Sequence, residues 1–293
     1  MDIFVQQVVS GLATGGIYAS LALALVMIYQ ATDVVNFAQG EMAMFSTYLA
    51  WSMLQAGLPY WVTFAATVTI AFVGGLLLER IVIRPVEGAP ILTIVIVTLG
   101  LLVIFNSVAG WIYSYIQKPF PSPFPAKPIR VGNIYFGAHD IGALLVTLLV
   151  LAALYLFFRF TTLGLAMRAA AQNPVSSRLC GIRVGWMLAV GWGLAALVGA
   201  VAGMMVAPVV FLDPNMMAGI LIYAFASATL GGFTSPGGAV LGGLIVGVIE
   251  NLAGTYVRFI GTELKLTVAL ALILVVLLVR PSGLFGRAAV HRV

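Results

Sequence analysis

Long apolar runs broken by short polar stretches set the layout of this chain. Crossing about 30 Å of hydrocarbon takes roughly 20 helical residues at 1.5 Å each. Four runs meet that need clearly, at about 4–29, 60–83, 91–112 and 141–158. Two more follow at about 184–210 and 264–279, the latter beside Glu263 and Lys265, whose side chains can snorkel to the interface. Two regions are less regular. Residues 42–58 are apolar but short and follow a polar turn, Val35-Asn36-Phe37-Ala38-Gln39-Gly40-Glu41, so they either span with a tilt or form a broken helix. Residues 216–256 suffice for two crossings, divided by GGFTSPGG, where Pro236 and the glycines force a turn. The pattern predicts an all-α polytopic membrane protein with about 8–9 transmembrane helices, some short or broken, forming a single transmembrane domain over residues 1–293.

Composition agrees. The chain is 62% hydrophobic and 8% charged, with a mean hydropathy of +1.13, far from the roughly 25% charged usage of soluble domains. A soluble core is excluded, and the 32 glycines suit close helix packing in lipid. The basic excess would suggest nucleic acid in a soluble protein; here it lies between apolar runs, so it reports topology and no nucleic-acid partner is implied. The N-terminus has no basic residue ahead of its apolar run and no AxA-like cleavage site, and reads as a retained first helix. Cys180, the only cysteine, excludes an intrachain disulfide and reads as a small packing residue.

The basic residues orient the chain. Arg80 and Arg84 follow the third span, Arg159, Arg168, Arg178 and Arg183 the fifth, and Arg280, Arg287 and Arg292 the last. Placing all three groups in the cytoplasm gives an outside N-terminus, a cytoplasmic C-terminus and an odd number of crossings, about nine. The proline-rich loop of about 113–140 then lies outside, with Lys118, Lys127 and Arg130 as a minority against the rule.

Several constellations stand out. Gly11, Gly15 and Ala19 recur every four residues on one helical face, which suits close packing and also a glycine-lined solute path. Asn36, Gln39 and Glu41 sit in an apolar neighbourhood where unsatisfied polar groups are costly. They either cap the second helix from the cytoplasmic interface or line a gate. Between Arg159 and Arg183 the chain turns polar, with four arginines and no acid. Thr162 reads as the cap of a helix through Leu163–Gln172, and Asn173-Pro174 signals a second short helix ending at Gly181. Val175 and Leu179 share a face of that helix beside Arg178. The lipid interface would suit this face, and a groove on another protein suits two helices at a tight corner better. Glu250 falls near the outer end of its span and reads as a satisfied interfacial acid; Asp213, before Pro214, belongs to an outside turn. The sequence has no GxxxxGK[ST] phosphate loop, no HExxH and no Cys/His metal spacing; His139 and His291 lie outside the spans. Enzymatic chemistry is disfavoured, and no cofactor or metal is expected on this chain.

Six segments in order, GLATGGIYASLALALVMIY, NFAQGEMAM, ERIVIRP, TTLGLAMRAAAQNPVSSRLCGI, LGGFTSPGGAVLGGLIVGVIE and RPSGLFG, resemble the LivH-type permease subunits of bacterial ATP-binding-cassette (ABC) importers for branched-chain amino acids. The resemblance spans nearly the whole chain. It implies a multi-pass inner-membrane subunit that pairs with a homologous permease, two cytoplasmic ATP-binding subunits and a periplasmic solute-binding protein, and that works by alternating access while its partners hydrolyse ATP. It also implies an ATPase-coupling surface at about 159–183, with Gly164, Arg168, Asn173, Pro174, Arg178 and Gly181, and a translocation path or gate near Gly15, Asn36, Gln39, Glu41, Tyr223, Gly232 and Gly238. The sequence departs from the family pattern at Gln39, where a histidine is usual, and at Tyr223, where a lysine is frequent. Both departures remove a cationic group. Similar importers carry amides, urea or other amino acids, and a stand-alone secondary carrier is the rival class.

Overall fold

The computed structural model describes residues 2–32, 34–125, 127–131, 134–257, 259–261 and 264–286; Glu263, Arg287, His291 and Arg292 lie outside the described residues. The helices are α1 (Asp2–Thr32), α2 (Gln39–Gln55), α3 (Tyr60–Leu78), α4 (Ile91–Tyr113), α5 (Ala138–Phe160), α6 (Thr162–Gln172), α7 (Pro174–Leu179), α8 (Val184–Val210), α9 (Met216–Gly231), α10 (Pro236–Tyr256) and α11 (Lys265–Val279). A π-helical turn, Glu79–Ile83, and a 3₁₀ turn, Arg84–Val86, prolong α3. Six helices among the described residues are long and apolar enough to cross a membrane: α1, α3 with its extension, α4, α5, α8 and α10. The apolar helices α9 and α11 are shorter, and α2 has 17 residues.

The loop before α5 departs from a purely helical pattern. It carries an antiparallel hairpin of β1 (Ile129–Val131) and β2 (Ile134–Phe136), with Arg130 opposite Tyr135 and its guanidinium 5.6 Å from that ring. Alternating Ile, Tyr and Phe suit a short two-faced strand.

The chain divides into two compact units. The first comprises Met1–Val26, Ser122–Leu145 and Ala218–Val293. Here α1 and α10 meet backbone to backbone. A β-carbon on Gly11 would stand 2.7 Å from Val248 Cα, and one on Gly15 2.8 Å from the Gly243 carbonyl oxygen. On α10, a β-carbon on Gly243 or Gly247 would collide with the backbone of Ala19 or Gly15. Small residues four apart let the axes approach, and the resulting van der Waals contact replaces the hydrophobic drive that lipid does not supply.

The same unit ties its C-terminal residues to α9. A helix leaves its last four carbonyls without intrahelical partners. Leu284 N–H donates to Leu230 O at 2.7 Å and Phe285 N–H to Gly231 O at 3.2 Å. Gly232, at φ +98°, has room only for hydrogen at its α-carbon: a β-carbon would stand 2.6 Å from Ser282 O. Ser235 then caps α10, accepting from Gly238 N–H at 3.1 Å, with Pro236 in the first helical position.

The second unit comprises Met27–Pro121 and Val146–Met217. Its centre is α8, whose small residues receive α2 on one side and α3 on another. Gly203 lies against Thr47 and Ala43 of α2, Gly193 against Phe72, and Gly75 of α3 against Trp192 and Ala196. Helix α2 runs parallel to α8, Gln39 beside Ala195 and Ala43 beside Gly199. Ala195 is 11 residues into a helix that starts at Val184, so α2 begins about 16 Å along α8 rather than at its end. The polar turn expected at 35–41 is therefore the start of a half-length helix, deep in the unit.

The α1–α10 contact yields a prediction. Gly247→Leu should lower the thermal unfolding midpoint of the purified chain in detergent, with a loss of about 1–3 kcal/mol. Gly74→Ala, where no atom lies within 4 Å, should shift stability by less than about 1 kcal/mol. Equal midpoints for the two variants would show that α1 and α10 do not touch this closely.

Candidate coupling elbow and buried polar breaks

The segment after α5 folds as two short helices at a corner. Thr161, not Thr162, caps α6: its Oγ1 accepts from Gly164 N–H at 3.0 Å and donates to Phe157 O at 2.6 Å. Both threonines offer the same hydroxyl; Thr161 has the extended backbone a cap requires. Gly164 is buried under the last turn of α5, where a β-carbon would stand 2.6 Å from Phe158 Cα. It thus fixes the bend and offers no side chain to a partner.

Asn173 ends α6 and starts α7. Its Oδ1 accepts from Ser176 N–H at 2.9 Å, and Pro174 fills the first helical position. Gly181 closes α7 in the left-handed region, at φ +83°. Ile182 N–H reaches back to Ser177 O at 3.0 Å, the six-residue closure typical of glycine-terminated helices. Asn173, Pro174 and Gly181 therefore shape the elbow, while Arg168 and Arg178 stand exposed on it. Val175 is 67% and Leu179 86% exposed. Cys180 is exposed as well, which corrects its reading as a packing residue.

A shallow apolar groove adjoins the elbow, lined by Leu163, Ala166, Ile182, Trp186, Met187 and Val190. Its floor is held by residues that the sequence pattern did not single out. Arg80 lies over the Trp186 ring at 3.8 Å, and the Arg84 guanidinium comes 3.5 Å from the place a β-carbon on Gly185 would occupy. ERIVIRP thus anchors the start of α8. The available signal was an arginine pair four residues apart facing a tryptophan just past Arg183.

The start of α2 is a second polar locus. Asn36 Oδ1 accepts from Ala38 N–H at 3.0 Å, and Asn36 Nδ2 donates to Gln39 Oε1 at 3.3 Å. Gln39 Nε2 donates to Ala195 O at 2.9 Å. Both amides are fully buried, and neither caps α2, whose cap position is Ala38 with no side-chain hydrogen bond. They join the break to α8. Glu41 is 6% exposed and sits beside Asn106 of α4. Lys118 belongs to structure here: its ammonium lies 4.7 Å from the Trp51 ring centre, and its backbone pairs with Leu212.

In the first unit, Tyr18 and Tyr223 stack at 4.7 Å with planes 8° apart. Tyr18 Oη donates to Glu250 Oε2 at 2.8 Å, and Tyr223 hydrogen-bonds to the same carboxylate. Asn251 Nδ2 donates to Thr14 Oγ1 at 3.0 Å. Glu250 is 8% exposed, so it is a buried, hydrogen-bonded acid. Gly15, expected near a solute path, packs against α10; Gly232 and Gly238 shape the α9–α10 turn, Gly238 against Gly231. Asp213 closes an Asx turn onto Asn215 N–H at 2.7 Å.

Long apolar helices with buried polar breaks define a polytopic membrane transport protein. Among the described residues, no group of three His, Cys, Asp or Glu side chains could hold a metal ion. The chain belongs to the family described as the permease component of the branched-chain amino acid transport system, whose sequence profile matches residues 7–277. It is similar to the high-affinity branched-chain amino acid transport system permease protein LivH of Salmonella typhimurium, at 32% identity over 99% of this chain and 98% of that one. It is also similar to BraD of Pseudomonas aeruginosa, at 30% identity over the same shares, and to a probable LivH of Methanocaldococcus jannaschii, at 30% over 91% and 87%. A solved structure, PsaBC from Streptococcus pneumoniae in complex with Fab, aligns over 94% of this chain and 91% of that one at 13% identity, with a TM-score of 0.49. The chain is thus a membrane-embedded transport permease subunit and not a catalytic one.

The elbow's caps can be tested singly. Asn173→Ala should destabilise α7 by about 1 kcal/mol and speed amide hydrogen exchange at residues 175–179. Asn173→Asp, which keeps the acceptor, should leave exchange near the parent rate. Unchanged exchange in Asn173→Ala would remove the side chain from the corner's support.

Proposed function

We propose that this chain is one permease subunit of an ATP-driven importer, moving branched-chain and related hydrophobic amino acids across the bacterial inner membrane by alternating access. Its partners in this reading are a homologous second permease, two cytoplasmic ATP-binding subunits and a periplasmic solute-binding protein. ATP is bound and hydrolysed by those partners. Residues 1–293 act as one transmembrane domain, with the N-terminus outside and the C-terminus in the cytoplasm. The loop of about 113–140 then faces the binding protein.

The observation that carries this reading is the elbow of α6 and α7. It is basic, it leaves Val175 and Leu179 without cover, and its corner is fixed by an Asn-Pro cap and a left-handed glycine. A rigid corner transmits a push, whereas a slack loop absorbs it. Arg168 and Arg178 supply the charge that an acidic rim on an ATPase cleft would meet, and the groove beside Trp186 extends the contact. Gly164 and Gly181 contribute through shape.

Reconstitution with the partner subunits in proteoliposomes tests the assembly. Liganded binding protein should stimulate ATP hydrolysis and L-leucine uptake. Arg168→Glu should leave the chain inserted and folded, yet lower stimulated uptake about tenfold or more. Normal uptake by Arg168→Glu would remove that arginine from the docking surface. Uptake by this chain alone under an ion gradient would instead favour a secondary carrier. A ligand screen on the binding protein separates branched-chain amino acids from amides and urea.

A further inference from the structure

A partly enclosed cavity of about 80 Å³ lies between the start of α1 and the turn that leads from β2 into α5, wholly within the first unit. Helix α1 contributes Gln6, Gln7, Val9 and Ser10 to its lining. The strand end and turn contribute Tyr135, Phe136 and Gly137, and the first turn of α5 contributes Asp140. Gln6 and Ser10 are four residues apart and Gln7 and Ser10 three, so one face of α1 delivers all of its polar lining.

The cavity carries one charge. Asp140 is the only acid in residues 113–140, where Lys118, Lys127 and Arg130 are basic. No Lys, Arg or His lines the space. His139, next in sequence, is hydrogen-bonded through Nδ1 to Ser122 Oγ at 2.9 Å, and the Arg130 guanidinium lies 5.6 Å from the Tyr135 ring centre. An acid in a first helical turn suits the helix dipole, and Asp140 folds back over Gly137, where a β-carbon would stand 3.0 Å from its Oδ2. That accounts for the acid. It does not account for two glutamine amides and a hydroxyl brought to the same space from another helix.

Size narrows the occupant. A water takes about 30 Å³ in the liquid, so the space holds about two or three waters or the head of one side chain. Sites for whole small molecules run to about 300–1,000 Å³. A basic side chain supplies what the lining lacks: a positive charge for Asp140, N–H donors for the Gln6 and Gln7 amide oxygens and the Ser10 hydroxyl, and an apolar stem to lie along Val9, Tyr135 and Phe136. We propose that this cavity receives one lysine or arginine side chain of the periplasmic solute-binding protein as that protein docks. The proposal rests on the importer reading above, which sets the loop of about 113–140 opposite the binding protein. On a face that is otherwise basic, a single acid in a cavity fixes the register of docking, because only one orientation of the partner brings a cation to it.

The test uses the complete importer reconstituted in proteoliposomes, with ATP hydrolysis followed as leucine-loaded binding protein is added. Asp140→Asn should raise the concentration of binding protein needed for half-maximal stimulation about tenfold or more, because a docked cation loses its counter-charge, and should leave the maximal rate within about twofold. Ser10→Leu, which keeps the acid and fills the cavity, should raise that concentration likewise, and it carries the test if Asp140→Asn fails to fold. Among single Lys→Ala and Arg→Ala changes in the binding protein, one should cost the parent complex the same factor and the Asp140→Asn complex nothing further. An unchanged half-maximal concentration in either folded variant overturns the cavity as a docking site. A fall in maximal rate alone assigns Asp140 to the shape of α5 and overturns it too. An equal shift in the parent complex on exchanging sodium for choline salts makes the occupant a free cation, with the same result. An unstimulated parent complex overturns the importer reading itself, whereas the other outcomes leave that reading standing.

Discussion

Hydrocarbon offers the backbone no hydrogen bonds, so every place where a helix stops inside a membrane protein must bring its own partners. The irregular parts of this chain follow from that single constraint. Helix α2 begins where Asn36 and Gln39 join the break to the Ala195 carbonyl. Helix α9 ends where two N–H groups from residues 284 and 285 take its last carbonyls. Phe211, at φ +64° after α8, leads into Leu212, which exchanges two backbone bonds of 2.9 Å with Lys118. None of these breaks is slack.

Between the breaks, contact is made by the absence of side chains. Gly11 and Gly15 against α10, and Gly193, Gly199 and Gly203 of α8 against its neighbours, bring backbones together at van der Waals distance. Such contacts are tight and shape-specific, and they leave little room for adjustment within either unit. The elbow of α6 and α7 is built on the opposite plan. Its leucines and valine are exposed, its charges are unburied, and only its corner is fixed. Rigid interiors joined to an exposed rigid corner suit a subunit moved from outside itself.

The long spans were legible because length and composition suffice for them: α8 starts after Arg183 and ends before Phe211, where the apolar run begins and ends. The elbow was legible too, through Asn173-Pro174 and Gly181, whose conformational demands are local. Adjacent threonines hid which one caps α6, since sequence does not tell which residue takes the extended backbone. Depth was not legible at all. A 17-residue apolar helix reads alike beside the start of a longer helix or beside its middle, and only the pairing with Ala195 separates the two. Glu250 was hidden for a related reason: its hydroxyl partner, Tyr18, lies 232 residues away. The hairpin of β1 and β2 was masked by the run of prolines just ahead of it.

The tie between α9 and residues 284–285 has a consequence in time. A chain is made from its N-terminus, and its early segments fold before the later ones exist. The carbonyls of Leu230 and Gly231 are synthesised before α10 and α11, yet their partners come after both. The glycine face of α1 likewise waits for α10, its lipid-exposed backbone already satisfied within the helix. The first unit is therefore complete only when the RPSGLFG turn has left the ribosome, and a chain stopped just short of it would carry every span and still lack its clasp.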